Sequence, residues 1–331
     1  MGPVLKRLLR LIPSYRMMEE RKKQLIGENG ELIRERDVLQ GRLEVLETEH
    51  ALLKEWVPFF APGHYYSPLP SRAEISEAFA RGNLGPPFAA VDLNEAAQFA
   101  RLELFATYYP DQPFPQERTS GRRYYLNNPS YGAFDAIMLY GMLREARPRR
   151  IVEVGSGFSS AAMLDLNESV LGGSVEFIFI DPDMARLRVL LREGDATRAT
   201  LVEQRVQDVP LETFAALGEN DVLFIDSSHV SKIGSDVNRI FFDILPSLAP
   251  GVLIHFHDIT NNLEYPREWL EQGRAWNEQY LLRAFLMYNP VFRIELLSAW
   301  LSGVRGAFLR ERMPLCSQGG GGQIWLRKTA R

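Results

Sequence analysis

A single cysteine, Cys316, stands among 331 residues, so the chain can build neither an intrachain disulfide framework nor a multi-cysteine metal site. Long apolar runs are also missing, and none approaches the ~18 residues of a membrane-spanning helix. The apolar stretch from Val4 to Ile12 is broken by Lys6, Arg7 and Arg10 and has no secretory cleavage site after it. Nor is there an excess of positive charge. Lys and Arg number 38 against 42 Asp and Glu, a net charge of −4, which argues against nucleic acid as a partner. A cytoplasmic enzyme or binding protein remains, with the 46% hydrophobic and 24% charged residues of a globular chain that has a sizeable core.

Proline is absent between Pro13 and Pro58, and residues 1–57 form a segment of their own with 21 charged side chains, 11 basic and 10 acidic. Met18, Leu25, Leu32, Leu39, Leu46 and Leu53 recur every seven residues, a stripe at the d position of a heptad. The a positions are mostly polar: Lys22, Asn29, Arg36, Leu43 and His50. A helix from about Ser14 to Trp56 would reach roughly 65 Å at 1.5 Å per residue. Two readings stand: a coiled coil that makes the protein a homo-oligomer, or an amphipathic helix packed on its own domain. The first 23 residues carry seven basic and two acidic side chains, so peripheral contact with an anionic membrane surface is a further expectation.

Residues 58–123 hold nine of the 20 prolines and many aromatics, the mark of a packed connector and cap with short helices near 75–82 and 94–107. From 124 onward, β-rich apolar runs appear at 150–154, 175–180, 201–206, 221–226, 251–256, 292–297 and 323–327. Helix-length stretches separate the first six. That alternation predicts an α/β fold with a parallel sheet and helices on both faces. The glycines at 319–322 suit a loop leading into a final hairpin strand.

The first of these strands runs into Glu153-Val154-Gly155-Ser156-Gly157-Phe158-Ser159-Ser160. Glycines here let the backbone approach a ligand, and the next helix offers its N-terminal amides. The third glycine of a dinucleotide fingerprint would fall at Ser160, which disfavours a dehydrogenase. Asp181 ends the second strand, where an acid can accept hydrogen bonds from ribose hydroxyls or, alternatively, cap a helix begun by Pro182. Gln207-Asp208-Val209 follows the third strand, at the place of an adenine contact.

These segments resemble the class I S-adenosylmethionine-dependent methyltransferases. The resemblance covers about residues 124–328 and implies a seven-stranded Rossmann-like sheet with its last strand antiparallel. It also implies that Glu153, Gly155, Ser156, Gly157, Asp181 and Asp208 line the cofactor site, with Tyr131 and Asp135 closing over its methionine end.

Strand four ends in Asp226-Ser227-Ser228-His229 and strand five in His255-Phe256-His257-Asp258. Three of the five histidines therefore lie at the ends of neighbouring strands, where α/β folds bind ligands. Asp226, His257 and Asp258 are candidate ligands for Mg²⁺ or another divalent metal, and His255 is expected in the core. The Asp226/His229 spacing resembles the metal-dependent O-methyltransferases, both the catechol and the macrocin-type sugar enzymes. In those families an aspartate ending strand four binds metal and a base follows three residues later: lysine in the catechol branch, histidine in the sugar branch. Strand five departs from that pattern, since His257-Asp258 replaces two adjacent oxygen ligands.

The resemblance thus makes Asp226 and His229 catalytic, with His229 the general base for a sugar or glycan hydroxyl, a poor nucleophile until deprotonated. A nitrogen or small phenol acceptor is the alternative within the same fold. Tyr265, Asn277 and Glu278, beyond strand five, are candidate substrate contacts. A non-catalytic coiled-coil protein with a degenerate methyltransferase domain would be expected to lack the cofactor residues, and this chain has them.

Overall fold

The computed structural model describes residues 13–56, 60–82, 88–317, 319 and 321–330. The basic stretch at 4–12 lies outside them. The chain divides into two compact units, Met1–Pro70 and Ser71–Arg331. The first contains α1 (Pro13–Trp56), a helix of 44 residues, which matches the proline-free stretch. Of its heptad leucines, Leu25, Leu32, Leu39 and Leu46 are each about half exposed or more. Among the described residues, no helix is long and apolar enough to cross a membrane.

In the second unit come α2 (Arg72–Ala80), α3 (Glu95–Tyr108) and α4 (Ala133–Ala146). Helix α2 begins at a capping box. The Ser71 hydroxyl accepts from the Glu74 N–H and the Glu74 carboxylate accepts from the Ser71 N–H, which satisfies two N–H groups at the helix start. Strand β1 (Arg150–Val154) follows, then α5 (Phe158–Ser169), β2 (Glu176–Ile180), α6 (Ala185–Leu190), β3 (Ala199–Val202), α7 (Glu212–Ala215) and β4 (Val222–Ile225). Helices α8 (Asp236–Arg239) and α9 (Leu245–Ser247) lead to β5 (Leu253–His257). The chain closes with α10 (Arg267–Glu271), α11 (Glu278–Leu286), β6 (Phe292–Leu297), α12 (Ser298–Val304), α13 (Gly306–Arg312) and β7 (Gln323–Lys328).

The seven strands form one sheet in the order β3-β2-β1-β4-β5-β7-β6. The first five are parallel, and β7 runs antiparallel between β5 and β6. This is the Rossmann-like methyltransferase sheet that the resemblance implied. Residues of β4 and β5 are buried at every position, as expected of strands covered on both faces. The third strand is shorter than the apolar pattern 201–206 predicted. Its last pair, Ile180↔Val202, falls at the end of β2, and an edge strand with no neighbour left to bond turns away. Residues 206–208 form a 3₁₀ turn instead.

Strand order reverses between β1 and β4, so their connections leave toward opposite sides and open a crevice at the carboxyl edge. The pairs Val154↔Ile180, Val154↔Ile225 and Ile225↔Phe256 align four strand ends there. Gly155, Asp181, Asp226 and His257 each stand one residue beyond one of these paired positions.

Helix α5, which follows the glycine turn, is fastened from behind by Arg123. The buried guanidinium pairs with Asp165 at 2.7 Å, Asp195 at 2.5 Å and Glu168 at 2.7 Å, while the N–H groups of Arg123 and Tyr124 donate to the Asp165 carboxylate. Contact with Arg123 holds the Glu168 carboxyl down at about 2. Asp195 is lowered too: burial opposes its ionisation, but hydrogen bonds from Arg123 and the Arg192 N–H outweigh that cost. Removing one partner of such a buried network costs about 3–5 kcal/mol. Arg123→Met should lose about that much in urea unfolding at pH 7. A depressed carboxyl pKa contributes stability above its unfolded value and loses it as pH falls through the folded one. The gap between wild type and variant should therefore narrow from pH 5 toward pH 2.

Candidate active site

The site starts from one backbone contact. Gly155 has φ +85°, and a Cβ placed on it would lie 1.7 Å from the carbonyl oxygen of Asp226. The Asp226 N–H donates to the Val154 carbonyl at 2.9 Å. Only glycine satisfies both the left-handed φ and this approach. The turn beyond it is tied down on two sides. Asp181 accepts from the Ser156 N–H at 2.7 Å and from its hydroxyl at 3.2 Å, and its other oxygen accepts from the Asp183 N–H at 2.9 Å. Behind the turn, Glu153 is fully buried and accepts from the hydroxyls of Ser159 and Ser160. Burial raises its carboxyl to about 8 despite those bonds. Glu153 thus anchors the start of α5 to β1 from inside the core.

In front of the turn lies a cleft of about 510 Å³ whose wall includes Gly155, Asp181, Gln207, Asp226 and Ser228. Asp181 keeps acceptor capacity there, because a carboxylate has about four acceptor positions. Asp208 turns aside to pair with Arg205 at 2.9 Å, and Arg205, Val206 and Gln207 form that part of the wall. Tyr131 is buried, its ring 5.3 Å from that of His257. Asp135 accepts from the Gly322 N–H and the Gln323 amide, each at 2.9 Å. With His257, Asp258, Thr260 and Trp269 it lines a second cavity of about 340 Å³.

Between the two cavities sits a cluster of acids and imidazoles. Ligand atoms of Asp226, His229 and Asp258 all lie within 4.8 Å of one another. The His229 Nε2 is 3.5 Å from both Asp226 and Asp258, and its Nδ1 is 2.8 Å from Glu278. His257 borders the group, with Nδ1 3.7 Å from Asp226 and 3.5 Å from Asp258, and Nε2 3.7 Å from Asp135. His229 and Asp258 hold φ of +60° and +56°, unusual for residues with a Cβ and common where function fixes the backbone. His255 is core as expected, fully buried and stacked on Phe224 at 3.7 Å.

Electrostatics in the cluster are set by burial working against pairing. Burial disfavours the His229 imidazolium, but the carboxylates of Asp226 and Glu278 outweigh it and raise the group to about 10. His257 is likewise raised against burial, to about 9, by Asp226, Asp135 and Asp258. For Asp226 burial also loses, to His257 and His229, and the carboxyl sits at about 2. Burial wins at Asp258 and Glu278, which are both raised, and it drives His255 well below its usual range.

The predicted substrate residues brace this cluster from the start of α11 and from the loops on either side of α10. Tyr265 is buried and its hydroxyl accepts from the Gln279 N–H at 3.1 Å. The Asn277 side chain is spent on the backbone of Ser231, and Glu278 on His229. No signal at sequence level tied 277–278 to 229–231, which lie 46–49 residues away.

A family model described as a methyltransferase domain matches residues 152–259, the span from β1 through the Asp258 turn. An uncharacterized protein of Archaeoglobus fulgidus is 35% identical over 172 residues, 49% of this chain and 75% of that protein. The chain carries a methyltransferase domain. Solved structures similar to this methyltransferase include apo CmcI, with 19% identity over 68% of this chain and 84% of that one and a TM-score of 0.39. Another is TomG, an O-methyltransferase from Streptomyces achromogenes involved in tomaymycin synthesis, with 15% identity over 77% and 96% and a TM-score of 0.39.

In the ion-free methyltransferase, His229 and His257 should be imidazolium and His255 neutral at pH 7, readable from ¹⁵N shifts of labelled histidine. A raised histidine pKa contributes stability below its unfolded value of 6.5 and loses it as pH rises through the folded one. Unfolding free energy should therefore fall between pH 6.5 and about 10, and fall less in His229→Asn.

Proposed function

We propose that the protein uses S-adenosylmethionine to methylate a hydroxyl oxygen of a sugar or glycan-type acceptor, with His229 as general base and a divalent cation held beside it. The observation that carries this reading is the double membership of Asp226: it lines the cleft in front of the glycine turn and belongs to the Asp226–His229–Asp258 group. One side chain thus joins the cofactor cleft to the chemical centre.

The residues present fit S-adenosylmethionine and a divalent cation. Asp181 offers free acceptor positions for ribose hydroxyls, and the glycine turn lets the backbone approach. Asp226, Asp258 and the His257 imidazole, whose Nδ1 lies 3.7 and 3.5 Å from the two carboxylates, are a suitable donor set for a divalent cation that leaves the His229 Nε2 free to act as base. Asp135, Asp226, Asp258 and Glu278 surround the two raised imidazoles, so two formal negative charges remain when all are ionised. When bound, S-adenosylmethionine supplies an electrophilic methyl group, and the cation acidifies an acceptor hydroxyl.

The chain's own groups supply alignment and proton transfer. Asp226 and Glu278 hold His229 protonated, and of the neighbouring carboxylates Asp226 and Asp258 are the ones that would engage the cation. A cation held there would offset the Asp226 charge that favours the imidazolium, and neutral His229 would offer its Nε2 to the hydroxyl proton. The second cavity combines Ser130, Asp135, Asp258 and Thr260 with the indole of Trp269, a mixture of hydrogen-bonding groups and aromatic surface that supports a polyol acceptor.

Titration calorimetry with S-adenosylmethionine, with and without Mg²⁺, tests the core of this. Micromolar binding is expected, weakened at least ~10-fold in Asp181→Ala, because a hydrogen bond to a charged group is worth about 1.5–3 kcal/mol. No binding by the wild type would overturn the reading. Product analysis across sugar, phenol and amine acceptors then tests the acceptor class.

The exposed stripe of α1 supports a further part of the proposal, a parallel pairing with a second copy of the chain. In that register the d-position leucines meet their own copies, Asn29 faces Asn29, and Arg42 at g faces Glu47 at e of the partner helix. Lys22 and Arg36 at a oppose themselves and weaken the amino-terminal half. Light scattering should give twice the chain mass, reduced to one chain by Leu39→Glu with Leu46→Glu while S-adenosylmethionine binding persists. A wild-type monomer would overturn the pairing.

A further inference from the structure

The sequence places Trp276-Asn277-Glu278-Gln279 far from both catalytic turns, yet the fold lays this short segment across them. The carbonyl of His229 accepts from the N–H groups of Asn277 and Glu278, at 3.0 and 3.1 Å. The Asn277 amide grips Ser231 twice, accepting from its N–H at 2.6 Å and donating to its carbonyl at 3.1 Å. Trp276 covers the imidazole, with ring centroids 4.4 Å apart. On the other side, Gln279 accepts from the N–H and hydroxyl of Thr260, at 3.1 and 2.9 Å, two residues beyond Asp258. One segment therefore fixes the turn that carries His229 and the turn that carries Asp258.

Glu278 sits at the centre of this clasp. Its side chain is 1% exposed, with one oxygen 2.8 Å from the His229 Nδ1 and the other buried without a hydrogen-bond partner. An acid this deep has little access to a substrate, so its contact with the imidazole is what its burial secures. We infer that Glu278 is a positioning residue: it accepts the Nδ1–H of His229 and so holds the ring in the tautomer whose Nε2 lone pair faces Asp226, Asp258 and the acceptor hydroxyl. The backbone bonds from Asn277 and Glu278 keep His229 in its left-handed conformation, which a residue with a Cβ adopts only when its surroundings impose it. A carboxylate behind a histidine base sets both tautomer and orientation in this way. The inference rests on His229 being the base, as proposed above.

The test uses the full chain labelled with ¹⁵N-histidine, the Glu278→Gln variant and the shorter carboxylate Glu278→Asp. The wild type should show a downfield Nδ1–H resonance, assigned by its absence in His229→Asn. In Glu278→Gln that resonance should move upfield, because the acceptor loses its charge, while S-adenosylmethionine affinity holds. With an acceptor from the product screen, kcat should fall about 100-fold in Glu278→Gln with KM little changed, and Glu278→Asp should recover part of it. An unmoved resonance, or an unchanged kcat in an enzyme that methylates normally, would overturn the positioning role and leave the methyltransferase reading standing. Failure of the wild type to methylate any acceptor would instead strike the proposed function, and the resonance would still test the Glu278–His229 contact.

Discussion

The carboxyl edge of the sheet depends on how near the turn after β1 comes to the end of β4. At Gly155 the backbone passes so close to the Asp226 carbonyl that no side chain fits between them. That closeness brings the cofactor-type turn and the first acid of the chemical centre into one structure. Glu153 secures the turn from beneath through Ser159 and Ser160, Asp181 secures it from the side through Ser156, and Arg123 fixes α5 from behind. A shift of the turn would move the cleft and Asp226 together.

Charge governs what happens next along that edge. Asp226 is drawn down to about 2 by two histidines that its own carboxylate helps to hold protonated. Burial acts in opposite senses on the acids and the imidazoles of this cluster, whose members come from the two strand-end turns, the 276–279 segment and, through Asp135, helix α4.

Much of the fold was legible because its signals are local. Strand and helix alternation, the glycine turn and the acids at strand ends each lie within a few residues of sequence, and each recurs in the structure at about the expected place. The third strand ended early because its neighbour ended, a property of the pairing rather than of its own apolar pattern. Side-chain direction was less legible. Asp208 turns to Arg205 while Gln207 lines the cleft, and Glu153 faces the core behind the turn it was expected to line.

By itself the sequence determined the order of elements, the glycine that permits the backbone contact and the Asp226–His229 spacing on one turn, because periodicity, φ preference and residue chemistry are short-range properties. Tertiary structure alone decided that Glu278 stands behind His229, that Asn277 holds Ser231 and that Gln279 holds Thr260. Those contacts join segments 19 to 49 residues apart, and only the packing of α11 against the sheet edge brings their partners within hydrogen-bonding reach.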